Sequence, residues 1–475
     1  MNIELQPELE NKIKQEINSY YRVLNVSQQG SLPSFNSSKN QILVEIPSDI
    51  VFNPSLMSIS FTRGDTSTSA ASTFNAINNF SIPYFSRCEM YSSSNNIRLV
   101  DIQNLDIYNK MSIGLYNQFL QNQNYYLCAS DRTTIGNGIT GDFFYDSGVP
   151  ADRLITYCTV EEATTASTAL KGRTISIKLC DLCPNSFFSI NKNIYSSSVL
   201  YLRLETNQLN NILFNFGSDA TTSSINSVTT SISITNFNLS IFCEANPDLI
   251  NIARQQQASK EGLALVLPEV NNAQYSISAS AGTRGSIVKV VNNSSADSRL
   301  YMVLSSLTNT KNANSTYTIN NMSNHNVTTV TDGQGNLIAN PKYNQVQLYV
   351  NSNQIVQFDT NLNQDMSYVD HMFKNHSFNS NLAFKNISPF VYVFSTKKIE
   401  NNLTDGNLLD GCVFPQGGEI TLNILYNCVN SAATSDTSAY VVNPFGNTGY
   451  NHNIFTVTKR KIYMKDGKFS YVPFA

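Results

Sequence analysis

The chain contains no tryptophan, only four histidines and few charges. Asp, Glu, Lys and Arg make up 14% of its 475 residues, against about 25% in an average soluble protein. Each scarcity argues against a class of function. A glycosidase cleft needs paired carboxylates, and acids and tryptophan-lined walls are what this chain is short of. Lys and Arg number 31 against 34 Asp and Glu, a net charge of −3. No global basic field gathers nucleic acid. No apolar run approaches the ~20 residues of a membrane-spanning helix. The opening Met1-Asn2-Ile3-Glu4-Leu5 is polar and acidic, unlike a secretory leader. The expectation is synthesis in a reducing cytoplasm, with the eight cysteines as free thiols. Triplets such as Asn25-Val26-Ser27 then say nothing about glycosylation.

Asn, Ser and Thr stand where charges are missing. Apolar residues are 41% of the chain, with 26 Phe and 24 Tyr. An aromatic, β-branched core under a neutral amide surface favours strands. Leu9, Ile13, Ile17, Tyr20 and Leu24 recur at helical spacing and predict one amphipathic helix over 8–24. A Ser/Pro/Asn linker follows. Strand patterns then run through 41–46, 56–62, 88–91, 96–100, 174–178, 199–204 and 229–242. Residues 104–121 change to a helical period, and 122–170 form a long polar stretch. Pro247 to Gln257 reads as a short connecting helix. Further strands fit 274–280, 286–291, 299–306, 344–351, 388–396, 418–426, 454–464 and 468–474. Asp466-Gly467 is the turn of a closing hairpin. The expected organisation is an N-terminal helix and linker (1–39), a first β-domain (40–245), a linker helix (246–259) and a second β-domain (260–475).

The two halves rhyme. EMYSSSNNIRLVD (89–101) aligns without gaps on QLYVNSNQIVQFD (347–359). Tyr91, Ser94, Asn95, Ile97 and Asp101 match Tyr349, Ser352, Asn353, Ile355 and Asp359. Each copy reads strand, turn, strand. The stretches 234–242 and 455–463 also resemble one another. A duplication predicts two similar antiparallel sandwiches or jelly rolls.

The motifs that could carry chemistry lack their contexts. Cys180-Asp181-Leu182-Cys183 is a lone C-x-x-C, without the second ligand pair of a structural zinc site. It lies outside a thioredoxin-like βαβ setting. If the preceding strand continues, the two thiols point to opposite faces. His371 and His376, beside Asp370, are five apart and share no face. Gly136-Asn137-Gly138-Ile139-Thr140-Gly141 matches a dinucleotide fingerprint but sits in the polar stretch, with no strand before it or helix after it. Glu161-Glu162 reads as solvated. Lys459-Arg460-Lys461 reads as a solvated edge-strand cluster, with nucleic-acid contact as the lesser reading. No catalytic, cofactor-binding or metal-binding residue is assigned.

Three stretches carry a resemblance: SRCEMYSSSNNIRLVDIQNLDIYNKM (86–111), KLCDLCPNSFFSINKNIYSSSVLYLRLETN (178–207), and ITLNILYN with TVTKRKIYMKDGKFSYV (420–472). Together they resemble the double jelly-roll major capsid proteins of icosahedral DNA viruses, a lineage of virophages, polinton-like viruses and nucleocytoplasmic large DNA viruses. The resemblance implies an all-β fold of two tandem eight-stranded jelly rolls. It implies a structural, non-enzymatic homotrimer with a pseudo-hexameric outline, tiling a shell around double-stranded DNA in the virion. Implied partners are other copies of the chain, penton and minor capsid proteins, and indirectly an inner membrane or the genome. No cofactor or small-molecule substrate is implied. The loops at 122–170, 308–343 and 400–450 would crown the shell or clasp neighbours. The helix at 8–24 would lie on the inner side, so that deleting residues 1–30 impairs assembly but leaves the trimer folded. The alternatives are a virion fibre, spike or carbohydrate-binding β-sandwich and, more weakly, an enzyme built on a β-sandwich.

Overall fold

The structure, a computed structural model, describes residues 20–64, 73–78, 84–109, 158–159, 173–217, 231–258, 262–278, 284–292, 298–309, 330–331, 337–338, 342–359, 390–394, 411–427 and 449–471. Eight main strands, with the short Ser34–Phe35, Ile50–Phe52 and Ile194–Ser196 added to the first sheet, build the two facing sheets of a first unit among the described residues: Tyr21–Ser27, Gln41–Ile46, Ser58–Arg63, Phe85–Ser92, Arg98–Gln103, Arg173–Lys178, Leu200–Thr206 and Ile232–Glu244. Numbered in that order, one sheet runs first, eighth, third, sixth. The other runs second, seventh, fourth, fifth. All these pairs are antiparallel. This is the strand order of a jelly roll.

The second unit repeats it. Its main strands are Leu263–Ser278, Arg284–Asn292, Ser298–Asn309, Lys342–Val350, Asn353–Asp359, Phe390–Val393, Glu419–Asn427 and Gly449–Lys465, with the short Cys412–Phe414 and Lys468–Tyr471 added. They again pair first–eighth–third–sixth and second–seventh–fourth–fifth. The chain is a double jelly roll. The two hairpins that rhyme in sequence are the fourth and fifth strands of each unit. The closing stretches that rhyme fall in each eighth strand.

Alternation builds both cores. Ile42, Val44 and Ile46 face inward from one strand, and Leu200, Leu202 and Leu204 from its neighbour. A period of two puts successive side chains on opposite faces, so one face is dry and the other wet. Phe61 holds the middle of the first core, with its ring 5.4 Å from Tyr84 and 5.9 Å from Phe85. The helix Pro247–Ala258 joins the units. Pro247 needs no amide partner at the first helical position, and the Asn246 side chain accepts from the Asp248 amide at 3.0 Å. The closing hairpin turns at Asp466 and Gly467, φ 51° and 73°, the pair of positive values that a two-residue turn of this hand requires.

Four expectations are corrected. Residues 21–27 are a strand, not the end of a helix. Leu24 and Val26 pack on the core, and the strand pairs with the eighth from Tyr21↔Glu244 to Ser27↔Asn238. Fixed partners more than 200 residues away outweigh a helical spacing that tertiary context can override. Residues 8–19 lie outside the described residues. The strand expected at 274–280 begins at Leu263. Its N-terminal half reads poorly as a strand because Pro268 interrupts it and both faces are apolar. Pro268 is tolerated because this edge strand has a neighbour on one side only. Cys180 lies in a helical turn, Leu179–Leu182, not in a continuing strand. Lys459 and Arg460 are buried in a central strand rather than solvated on an edge. Among the described residues, no helix is long and apolar enough to cross a membrane.

Candidate functional site: the junction between the two units

The feature that distinguishes this molecule from two separate β-units is the surface that joins them. The main apolar core runs across it, from Phe52 and Phe187 of the first unit to Phe455 and Phe469 of the second. Phe187 sits in the short segment between the sixth and seventh strands of the first unit. Its ring lies 6.5 Å from Phe52 and 6.2 Å from Phe469. Ser186 caps the 3-10 turn that presents it, accepting from the Phe188 amide at 3.3 Å.

The helical turn 105–109 wedges in beside it. The Tyr108 ring stacks obliquely on Phe455 at 5.3 Å. The Tyr108 hydroxyl donates to the Pro184 carbonyl at 3.1 Å and accepts from Asn185 Nδ2 at 3.1 Å. Asn109 Nδ2 donates to the carbonyls of Asp181 and Leu182. The C-x-x-C segment is thus bound through its backbone carbonyls to the wedge. Cys183 is fully buried beside Cys88, and burial pushes its thiol well above the usual range. Burial also drives Cys180 up to about 12. Neither is a thiolate at neutral pH, the form that binds metal or attacks.

Polar contacts complete the seam. Asn104 Nδ2 donates to Asn272 Oδ1 at 2.7 Å. Asn95 Nδ2 donates to the Phe469 carbonyl at 2.5 Å. The Ser197 amide donates to the Gly467 carbonyl at 3.1 Å, and its hydroxyl to the Asp466 carbonyl at 2.7 Å. The tip of the closing hairpin is therefore docked on the first unit.

Charge is concentrated at the same place. Arg460 pairs with Glu269 on adjacent strands of the second unit. Burial raises the Glu269 carboxyl, Arg460 opposes the rise, and Asp101 from across the seam adds to it. Lys459 places its ammonium 4.5 Å from the centre of the Tyr301 ring, a cation over an aromatic face. On the first unit, Arg87 grips Asp101 with two bonds of 2.8 and 2.9 Å. Arg98 bridges Asp101 and Glu89, and Arg203 also meets Glu89. A cavity of about 660 Å³ lies between these groups, walled by Arg98, Asp101, Glu269, Asn272, Tyr275 and Arg460 among others.

A Ser–His pair lies elsewhere. Ser305 Oγ and His452 Nε2 are 2.7 Å apart in the second core. Both residues are fully buried, and burial lowers the His452 pKa to about 3. A base sealed from substrate serves packing, not turnover. Sequence reading missed this pair and the Glu269–Arg460 pair, because each joins strands distant along the chain. His371, His376 and Asp370, the glycines 136–141 and Glu161-Glu162 lie outside the described residues. Among the described residues, no group of three or more His, Cys, Asp or Glu is placed to hold a metal ion.

No family model and no curated protein matches the sequence. Solved structures do match. VP54 of PBCV-1, as fitted into a reconstruction of the virophage Sputnik, is similar over 97% of this chain and 98% of its own, with a TM-score of 0.54 and 9% identity. A chain of the Sputnik virophage structure is similar over 96% and 89%, with a TM-score of 0.52 and 12% identity. The mavirus major capsid protein is similar over 97% and 93%, with a TM-score of 0.50 and 9% identity. The likeness is one of fold along nearly the whole of each chain.

Proposed function

We propose that the chain is a major capsid protein, a structural subunit whose homotrimers form pseudo-hexameric tiles of an icosahedral virion shell around double-stranded DNA. The observation that carries this reading is the repeated jelly-roll order in two units fastened by one apolar junction. A subunit made of two like halves lets three copies present six similar edges, and six-edged tiles cover a flat facet. The domains at 40–245 and 260–475, joined by 246–259, are the two halves in this reading, with Tyr21–Ser27 added to the first. The low charge suits tiles packed edge to edge, since like charges repel at short range. The protein acts by assembly rather than catalysis. Its partners are other copies, penton and minor capsid proteins, and indirectly an inner membrane or the genome.

The test is native mass spectrometry followed by negative-stain imaging of the purified chain. The expected result is about three times the 52.7 kDa subunit mass and a hexagonal outline. A 52.7 kDa monomer at high concentration would overturn the reading.

A further inference from the structure

The cavity at the junction has the volume and the chemistry of a ligand site. Its size of about 660 Å³ falls within the roughly 300–1,000 Å³ of such sites, and a seam between two units is a common place for one. Strand Arg98–Gln103 of the first unit forms one wall and strand Leu263–Ser278 of the second forms another. The two-residue period of a strand sets what each presents. Asp101 and Gln103 share one face of the first wall. Glu269, Asn271, Ala273 and Tyr275 share one face of the second. Between Asn271 and Tyr275, Ala273 has only a methyl group, which leaves room in the cavity.

The charges of the walls are already paired. Asp101 is held by Arg87 and Arg98, and Glu269 by Arg460. An incoming ion would have to break one of these pairs, and a charge left without its partner away from water is costly. The groups left for a ligand are side-chain amides. Asn96, Gln103, Asn271 and Asn292 line the cavity and are exposed. An amide both donates and accepts, as a sugar hydroxyl does. Val290 and the Tyr275 ring add a small apolar patch, the counterpart of the C–H face of a sugar ring. The Tyr275 hydroxyl donates to the Val290 carbonyl at 2.7 Å, and the Lys289 ammonium lies 4.6 Å from the ring centre. Asn272 is fixed between Asn104 and the Ile454 carbonyl. Walls held in this way lose little freedom when a ligand enters.

We propose that the junction cavity binds a neutral saccharide, a hexose or N-acetylhexosamine unit of a glycan, hydrogen-bonded by Gln103 from the first unit and Asn271 from the second. A ligand held by both units stabilises the folded chain by mass action. These walls all belong to one chain, so the site does not depend on the proposed capsid assembly, and its failure would leave that reading standing.

The test applies the full chain to an array of neutral, sialylated and sulfated glycans. The glycan retained best is then titrated by calorimetry. The expected result is retention of a neutral glycan, with the affinity lowered about tenfold or more by Asn271→Leu, which removes an amide, and by Ala273→Leu, which fills the space. Gln103→Leu, on the opposite wall, replaces either variant if circular dichroism shows that it does not fold. Retention of sialylated or sulfated glycans alone would mark an anion site and overturn the proposal. Retention of no glycan would overturn it, as would an unchanged affinity in any folded variant.

Discussion

The ring of Phe187 meets the ring of Phe469 edge-on, with centroids 6.2 Å apart and planes at 80°. One belongs to the first unit and the other to the closing hairpin of the second. Both are fully or almost fully buried. The contact ties the end of the chain to its middle, and it gives the C-x-x-C segment its purpose: Pro184, Asn185 and Ser186 form the shoulder on which Phe187 is carried.

Phe187→Ala removes the ring shared by the two units. A buried Phe→Ala change costs about 3–5 kcal/mol. The expected outcome in calorimetry is one cooperative melt in the wild type and two separated transitions in the variant. A single transition, merely shifted downward, would show that Phe187 stabilises the first unit alone.

Gly467→Ala tests the hairpin tip. A Cβ at this position would fall 2.5 Å from the Ser197 amide nitrogen, on a backbone with φ of 73°. Both strain and collision act, so the loss is expected to exceed the roughly 1 kcal/mol of a strained glycine alone. Ser197→Gly in the same chain relieves part of the collision and is expected to recover part of the stability in a urea melt.

His452 makes the second unit acid-sensitive. Its folded pKa of about 3 lies below an unfolded value of about 6.5. Between those values the unfolded chain binds the extra proton, so stability falls as pH drops from about 6.5 towards 3. The full span is on the order of 5 kcal/mol. His452→Gln is expected to flatten the slope of stability between about pH 6.5 and 5, above the range where ordinary carboxylates titrate. An unchanged slope would place the acid sensitivity elsewhere.

Glu269 acts in the opposite sense. Its carboxyl is raised by burial, so the folded state holds the proton longer than the unfolded one. Its contribution is largest at low pH and declines as pH rises from about 4.5 through the raised value. Arg460→Met alone leaves the carboxylate buried without its partner and is expected to cost about 3–5 kcal/mol at neutral pH. Adding Glu269→Leu is expected to restore most of that loss, measured by denaturant melts of both variants.

The strand at Tyr21–Ser27 changes what an N-terminal truncation reports. Removing residues 1–30 takes away a strand paired along its full length with Ile232–Glu244. That deletion is expected to unfold the first unit. Removing residues 1–19 leaves the strand intact and isolates any role in assembly. Particle yield is measured for both, with circular dichroism as the check on folding.

Much was legible along the chain. Alternation in Gln41–Ile46 and Leu200–Thr206 marks strands with one dry face, because the period of a strand is fixed by covalent geometry. The rhyme between 89–101 and 347–359 marks equivalent hairpins. Pro247 and Asp466-Gly467 mark a helix start and a turn, since each residue type restricts its own backbone. These local signals determine an all-β chain in two like halves. Tertiary structure alone decided the rest. Lys459 and Arg460 look like surface residues in sequence; they are buried because Tyr301 and Glu269, on flanking strands, receive them. Residues 21–24 look helical; they are extended because the eighth strand, more than 200 residues later, offers its backbone. Cys180 and Cys183 show only a C-x-x-C spacing in sequence; they pack at a junction whose far side is more than 270 residues away at Phe455 and Phe469. A residue's own chemistry sets what it can do locally. Which residues meet it depends on how distant strands pair, and it is that meeting which made a seam of this segment.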